Sequence, residues 1–237
     1  MGSEMCIRDR IPPVKGPQDD NVSEPASRPS LRTQVFAALL GYAIPSSTTK
    51  AGAWLTKAKG ITSATQDRFC LCFLTDWGRA DVELRRRFGT DTLDRFGLLT
   101  KERRLAFTRH GFLFPFYWKG EPVDVQGRDV NATDKNFRFL NTRGSNPIPY
   151  NADAILQARA TGEPLYLCEG ATDTLTLAQS GRLAVGIVGT QGFKSSWLPY
   201  FAGLKVFLAF DADDAGKKGA AKVSSVFFEA GYPAPKV

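Results

Sequence analysis

The stretch VFLAFDADDAGKKGA, from Val206 to Ala220, sets the architecture of the last part of the chain. Its apolar first half has the pattern of a buried strand, and its small and basic second half has the pattern of a helix. Three carboxylates, Asp211, Asp213 and Asp214, stand between the two. Charges held this close at the edge of a core need compensation, either from the positive end of a helix or from a metal ion. These two alternatives predict very different proteins.

Two segments upstream repeat this order of elements. PLYLCEG (164–170) predicts a strand and TDTLTLAQSG (172–181) a helix, while LAVGIVGTQG (183–192) predicts a strand that ends in a glycine-rich turn. Apolar strands that alternate with helices predict a parallel sheet with right-handed crossovers. Ligands of such sheets gather at the carboxyl ends of the strands, where we expect Glu169, Gly189–Thr190 and Asp211 to lie.

The preceding part of the chain has a different pattern. Residues 31–107 are mainly helical, with helices that stop or break at Gly60, Gly89 and Gly97. Residues 108–143 are aromatic and of short period, which predicts two strands around a Lys119–Gly120 turn and a further strand in KNFRFLN (135–141). ADAILQARATG (152–162) predicts a helix. The predicted fold is therefore α/β, with an α+β segment at 31–160 followed by a parallel-sheet domain at 163–237.

Residues 1–30 are rich in Pro, Ser and Asp without periodicity, which predicts disorder. The opening MGSEMCIRDR is typical of added, non-native sequence, so it has no part in the prediction of the fold.

The net charge of +7 is concentrated in the middle of the chain. Residues 79–143 carry 14 Lys and Arg against 9 Asp and Glu, whereas residues 163–237 carry 7 of each. A basic surplus upstream of an acidic cluster is what a polyanion-binding surface beside a metal site would show. The simpler alternative is a solvated face of ordinary surface charge.

Cysteine and histidine content argues against a zinc module. The chain has four cysteines and one histidine, His110, and no C-x-x-C or C-x-x-H pair. We expect Cys70 and Cys72 to lie on one face of a strand as small apolar residues. No apolar run approaches the length of a membrane span and no signal peptide is evident, which predicts a cytoplasmic protein with reduced thiols.

The acids at the predicted strand ends suggest a shared site. Glu169 ends the first strand, Asp173 follows one helical turn later, and Asp211 and Asp213 end the third strand. Such carboxylates suit Mg²⁺, which takes hard oxygen ligands and serves phosphoryl transfer. The alternative is that Asp173 and one of Asp213 and Asp214 only cap helices. Glu169 has no part in that alternative, so its position favours the metal site.

These residues resemble a known family. LYLCEGATDTLTL, GIVGTQGF and FLAFDADDAGKKGA together are similar to the Toprim domain of DnaG-type bacterial and phage primases, which shows E-G-x-x-D, G-T and D-x-D-x-A-G in this order. FLFPFYWKGEPVDVQGRD and FRFLN…PYN are similar to the segment that precedes Toprim, with its F-P-I-x-D, G-G-R and K-Y-L-N elements. The resemblance covers about residues 52–237 and is firmest from Phe112 onward.

The resemblance implies roles for particular residues. It makes Glu169, Asp211 and Asp213 ligands of Mg²⁺ or Mn²⁺, with Glu169 also placed for proton transfer and Asp173 as a supporting acid. The resemblance also implies that Arg128, Arg138 and Asn141 contact template or nucleotide phosphates. Weaker candidates for the same contacts are Lys194, Lys217 and Lys218. Arg138 stands where the family usually has Lys, which keeps the charge but not the hydrogen-bond geometry. We expect Asp214 rather than Asp213 to cap the last helix.

The activity implied is DNA-templated synthesis of short RNA primers from ribonucleoside triphosphates, on single-stranded DNA and beside a replicative helicase. The sequence departs from the family at three places. No zinc-binding domain precedes the core, Arg143 is the substitute for a basic residue without clear equivalent, and the chain ends at GYPAPKV, where the next strand is expected to begin and the family carries another acidic motif.

Three alternatives stay open at this point. Toprim topoisomerases and nucleases carry D-x-D-x-E, but Ala215 occupies the last position here. A phosphatase that uses D-x-D would leave Glu169 without a role. A single-stranded DNA-binding fragment without activity is the non-enzymatic alternative.

Overall fold

The computed structural model describes residues 29–144, 148–188 and 192–237. The predicted disorder of residues 1–28 and the predicted Gly189–Thr190 turn lie outside these residues. The chain divides into two compact units. The first contains the described residues up to 52 together with 66–115 and 120–144, and the second contains 53–65, 116–119 and the described residues after 147. The sequence-based division into 31–160 and 163–237 stays a prediction.

Helices and strands are interspersed along the chain. The helices of the described part are α1 (Leu31–Leu40), α2 (Lys50–Lys59), α3 (Ser63–Arg68), α4 (Trp77–Phe88), α5 (Thr90–Arg95), α6 (Asp153–Thr161), α7 (Ala171–Gln179), α8 (Leu198–Phe201) and α9 (Asp214–Glu229). The strands are β1 (Ala43–Pro45), β2 (Cys72–Leu74), β3 (Phe112–Trp118), β4 (Glu121–Arg128), β5 (Phe139–Asn141), β6 (Leu165–Cys168), β7 (Leu183–Gly186) and β8 (Val206–Ala209). None of these helices is long and apolar enough to cross a membrane.

A five-stranded sheet in the order β1-β2-β3-β4-β5 organises the first unit. As predicted, Lys119 and Gly120 form the turn between β3 and β4, both with positive φ, which matches the twist of a tight hairpin. Helix α1 packs on β4, and its Arg32 Nη2 lies 3.2 Å from Asp124 Oδ2. The Asp124 side chain is buried and also accepts hydrogen bonds from the Val125 amide and the Thr142 hydroxyl.

Of the two short strands at the start of this sheet, β1 was not predicted, and β2 was expected only through Cys70 and Cys72. Strands β1 and β2 lie within the segment that the sequence presents as mainly helical, and they pair antiparallel with each other. Each has only three residues, too few to show a two-residue period. The expectation for the cysteines was wrong in part, because Cys72 begins β2 whereas Cys70 lies before it with a φ of 51°.

The second unit contains the predicted parallel sheet, in the order β7-β6-β8. Strand β6 is central, and Cys168 at its end pairs with Gly186 of β7 and Ala209 of β8. Because successive side chains of a strand alternate between faces, Leu165 and Leu167 point to one face, where they join the main core of this unit. That core also contains residues of α6 and α9, among them Ile155, Val223 and Phe227.

A parallel bridge extends the sheet beyond β8. The Lys236 amide donates to the Val206 carbonyl at 3.0 Å, and the Leu208 amide donates to the Lys236 carbonyl at 2.7 Å. This single bridge lies within GYPAPKV, where the sequence predicts the start of a further strand, and that strand stays a prediction.

Candidate active site at the carboxyl ends of the parallel strands

Pairing within the parallel sheet brings two of the predicted acids together. Glu169 directly follows β6, and Asp211 lies two residues after β8, at the same edge of the sheet. The Glu169 Oε1 atom accepts a hydrogen bond from the Asp211 backbone amide at 3.0 Å. Both residues are exposed, so their remaining carboxylate oxygens face solvent. The strand ends thus place E-G-x-x-D and D-x-D beside each other.

Gly216 makes this contact possible. It is buried in the first turn of α9, where an added Cβ would lie 2.0 Å from the Asp211 carbonyl oxygen and 2.8 Å from Glu169 Oε1. Real Cβ atoms do not approach backbone oxygen this closely, so a side chain here would push the two acids apart. The glycine of D-x-D-x-A-G therefore has a steric function at the site.

Asp213 caps helix α9. Its Oδ1 accepts the Gly216 amide at 2.8 Å, and Asp214 is the first residue of the helix. The expectation that Asp214 would be the cap was wrong, because the helix begins at Asp214 itself, one residue earlier than a cap at Asp214 would allow. The capping bond uses one oxygen of Asp213, and the other remains open to a ligand.

Asp173 occupies the third position of α7, after the N-cap Gly170. Burial of its carboxyl, followed by the charge of Asp211, raises the pKa of Asp173, although the residue as a whole is exposed. The Lys59 charge and backbone N–H groups at the helix start lower the pKa in the opposite direction. Asp173 thus has a helix-end position and also faces the charge of Asp211.

Within residues 29–144, 148–188 and 192–237, no three His, Cys, Asp or Glu side chains come close enough together to hold a metal ion. The donor set nevertheless fits a hard divalent cation, because it consists of carboxylate oxygens at one strand edge. Burial first, and the charge of Asp211 second, raise the pKa of Asp173, and a cation beside the two carboxylates would offset the second of these effects. The predicted ligand set Glu169, Asp211, Asp213 and Asp173 remains a prediction.

Sequence reasoning missed Lys59 at this site. Lys59 is the last residue of α2, which the sequence shows only as part of a helical lead-in. The Gln179 amide of α7 holds the following turn, donating to the Gly60 carbonyl at 3.0 Å and accepting the Thr62 amide at 2.8 Å. This anchoring places the Lys59 charge where it acts on Asp173. In the sequence, Lys59 is distinguished only as a basic residue directly before the helix-ending Gly60, and this pattern is too common to identify a functional site.

Cys168 lies next to Glu169 but has no nucleophilic character. It is fully buried, and burial raises the pKa of its thiol to about 12. Because the thiolate is the nucleophile, Cys168 is inert at neutral pH.

The predicted basic residues of the second unit lie around the start of α9 and before α8. Lys217 and Lys218 are exposed in the first turns of α9, and the Lys217 amide bonds to the Asp213 carbonyl. Lys194 is half-buried, with its Nζ 5.7 Å from the centre of the Trp197 ring. Nothing in these contacts tests whether the three lysines bind phosphate.

The other predicted binding residues belong to the first unit, with Arg128 on β4, Asn141 on β5 and Arg138 directly before β5. Arg128 is buried, and its Cζ lies 4.6 Å from the centre of the Phe139 ring. Burial first, and the charge of Arg138 second, lower the pKa of Arg128 to about 10, so the Arg128 guanidinium is charged at neutral pH. Asn141 accepts a hydrogen bond from Gln126 Nε2 at 2.9 Å.

Arg143 has a structural partner. Its Nη2 donates to Asp94 Oδ1, and its backbone amide donates to the Gly97 carbonyl at 3.2 Å. These bonds hold the segment after β5 against α5 and the turn that follows it.

Comparisons with known proteins agree with this fold. Residues 166–235, which contain all four acids, match the family described as Toprim-like. None of the curated proteins matches the chain.

Solved primase structures match most of the chain. The DnaG primase catalytic domain bound to ssDNA aligns with 83% of this chain and 66% of its own, at 22% identity and a TM-score of 0.65. The structure of the zinc binding and RNA polymerase domains of the Aquifex aeolicus primase aligns with 90% of this chain and 58% of its own, at 21% identity and a TM-score of 0.67. The RNA polymerase domain of Mycobacterium tuberculosis primase DnaG aligns with 82% of this chain and 70% of its own, at 20% identity and a TM-score of 0.68.

These matches confirm the predicted α/β fold and the similarity to primase catalytic cores. The chain spans about two thirds of the first of these structures and 58% of the second.

Proposed function

We propose that this chain is the catalytic core of a DNA primase, which makes short RNA primers on single-stranded DNA by nucleotidyl transfer. The observation that carries the proposal is the hydrogen bond between Glu169 Oε1 and the Asp211 amide, which joins the two acidic motifs at one edge of the sheet. The primase-like fold supports it, since ligands of parallel sheets bind at this edge.

Glu169, Asp211 and Asp213 are the proposed ligands of Mg²⁺ or Mn²⁺. Such an ion supplies charge neutralisation for nucleotide phosphates and acidifies an attacking hydroxyl. Asp173 supports the site by adding negative charge beside Asp211.

The side chains have further proposed tasks. Glu169, whose second oxygen faces solvent, accepts the proton of the primer 3′-hydroxyl. Lys59, near Asp173, and the exposed Lys217 and Lys218 attract the triphosphate of the incoming ribonucleotide. Lys194 is a weaker candidate for the same task.

The basic residues of the first unit are the proposed template contacts. Arg128 and Asn141 lie on the paired strands β4 and β5, and Arg138 directly precedes β5. Phosphate neutralisation by such basic groups makes binding salt-sensitive. A replicative helicase is the proposed protein partner, on the resemblance to the primase family alone.

Primer synthesis from ribonucleoside triphosphates on single-stranded DNA, with Mg²⁺ or Mn²⁺, tests the mechanism. We expect Glu169→Gln and Asp211→Asn each to lower product formation by about 100-fold or more, because each removes a carboxylate needed for metal binding. Asp214→Asn is the matched control, since Asp214 is an exposed acid in the same segment without a proposed ligand role, and it should retain activity.

The outcomes separate this proposal from its alternatives. Undiminished synthesis by both Glu169→Gln and Asp211→Asn would show the mechanism to be wrong. Metal-independent template binding without synthesis would point to a bare single-stranded DNA-binding module. Metal-dependent DNA cleavage would instead support a Toprim nuclease, despite Ala215 at the position of the nuclease glutamate.

A further inference from the structure

Phe137 is a large apolar side chain that the fold leaves in solvent. It is 66% exposed, in the short 3₁₀ turn that leads into β5. Among the described residues its ring has no aromatic or cation–π partner. One exposed aromatic residue is common on a protein surface, so exposure alone does not identify a function.

The turn that carries Phe137 is well ordered by hydrogen bonds. His110 Nε2 donates to the Phe137 carbonyl at 2.8 Å, and the Phe137 amide donates to the Asp134 carbonyl at 3.3 Å. The Asp134 side chain also accepts the Asn136 amide at 2.8 Å. Because the backbone is held on both sides of the ring, a ligand that stacks there meets a preformed surface.

The charge beside Phe137 is positive. Arg138 follows it directly, and no carboxylate in the described part of the chain forms an ion pair with Arg138. Arg128, on the paired strand, lies close enough for the two guanidinium charges to repel each other. An exposed ring beside uncompensated positive charge suits a ligand that has both a flat apolar face and an anionic group.

We propose that Phe137 is a stacking platform for a base of single-stranded nucleic acid, with Arg138 contacting an adjacent phosphate. This inference rests on the proposed function, because it assigns the base contact of the template site. Single-stranded binding sites commonly combine a basic track with aromatic side chains on which bases stack. Phe139 differs from Phe137, since the Arg128 guanidinium already lies over its ring and it is only 38% exposed.

Fluorescence anisotropy with two labelled oligomers of equal length, an oligothymidylate and its abasic analogue, tests this inference. The abasic oligomer keeps the phosphates but has no bases. We expect Phe137→Ala to weaken oligothymidylate binding roughly 5- to 100-fold and to leave abasic binding unchanged. Phe137→Trp should keep or improve the affinity for oligothymidylate, and Arg138→Gln should weaken the binding of both oligomers and reduce the salt dependence.

Phe228 provides the matched control, because it is the most exposed phenylalanine of the described chain at 76% and lies near the end of α9. Phe228→Ala should bind both oligomers as the parent protein does. Unchanged oligothymidylate binding by Phe137→Ala, together with weakened binding by Arg138→Gln, would overturn the stacking inference and leave the proposed function intact. Failure of the parent protein to bind either oligomer would overturn both.

Discussion

The two sheets of this protein carry function in different ways. In the parallel sheet the candidate acids lie beyond the strands, at the edge where β6 and β8 end together. In the antiparallel sheet the candidate template contacts lie on the strands themselves, with Arg128 paired to Phe139 and Gln126 paired to Asn141. Parallel pairing therefore brings the loops after the strands together, whereas antiparallel pairing places side chains of neighbouring strands beside one another.

The difference also affects how tightly each group is placed. The acids lie where Gly216 leaves no room for even one methyl group, so the backbone itself sets their separation. The antiparallel region is held instead by polar side chains, of which buried Asp124 is the clearest, with partners on α1, β4 and the residue after β5. Substitutions should consequently damage the two regions by different mechanisms.

The largest effect is expected from Gly216→Ala. Its Cβ would clash with the Asp211 carbonyl, so we expect a loss of about 3 kcal/mol of unfolding free energy and loss of primer synthesis. Gly219→Ala, in the same helix, places its Cβ at an ordinary 3.4 Å from the Phe210 ring and should stabilise by about 0.5–1 kcal/mol. Urea unfolding of both variants measures the contrast. Equal effects of the two substitutions would show that the backbone does not constrain the acids.

An intermediate effect is expected from Asp124→Asn in the antiparallel region. Asparagine removes the charge that pairs with Arg32, but this arginine is 30% exposed and can be hydrated in part. We therefore expect a loss of about 2 kcal/mol, below the usual cost of breaking a fully buried pair. Urea unfolding monitors stability, and the proposed primer synthesis should be unaffected at temperatures where the protein is folded. Stability equal to that of the parent would mean that the Asp124 hydrogen bonds, not its charge, hold the sheet.

The smallest effect is expected from Asp173→Asn, and it is opposite in sign. Because the folded-state pKa of Asp173 is raised, its stability contribution is present below the unfolded pKa and is lost as pH rises through the folded value. The Asn variant should therefore melt slightly higher than the parent at pH 7 without added metal, and this advantage should disappear below about pH 4. Thermal melts across this pH range provide the measurement.

Added Mg²⁺ sharpens the same comparison. If Asp173 supports a metal site, Mg²⁺ should raise the melting temperature of the parent more than that of Asp173→Asn, since a ligand stabilises the state that binds it. An equal shift in both proteins would exclude Asp173 from the site.

Much of the parallel-sheet region could be predicted because its signals are local. Strand-length apolar runs, helix-ending glycines and strand-end acids all lie within segments of about ten residues, and the structure has the predicted elements at Leu165–Cys168 and Asp214–Glu229. The antiparallel region was harder, since β1 and β2 have three residues each and form only by pairing with distant partners. The position of the α9 cap was missed by one residue, which is a common error at helix ends.

Local sequence patterns were enough to predict the strands and helices of the parallel-sheet region, the acids at its strand ends and the aromatic, basic character of β3 to β5, because periodicity and composition are properties of neighbouring residues. Only the tertiary structure decided which atoms meet. It gave Asp213 the cap and brought Glu169 onto the Asp211 amide across 42 positions of sequence. It also placed Lys59 near Asp173 and left Phe137 in solvent. Such contacts depend on packing between distant segments, which no local pattern records.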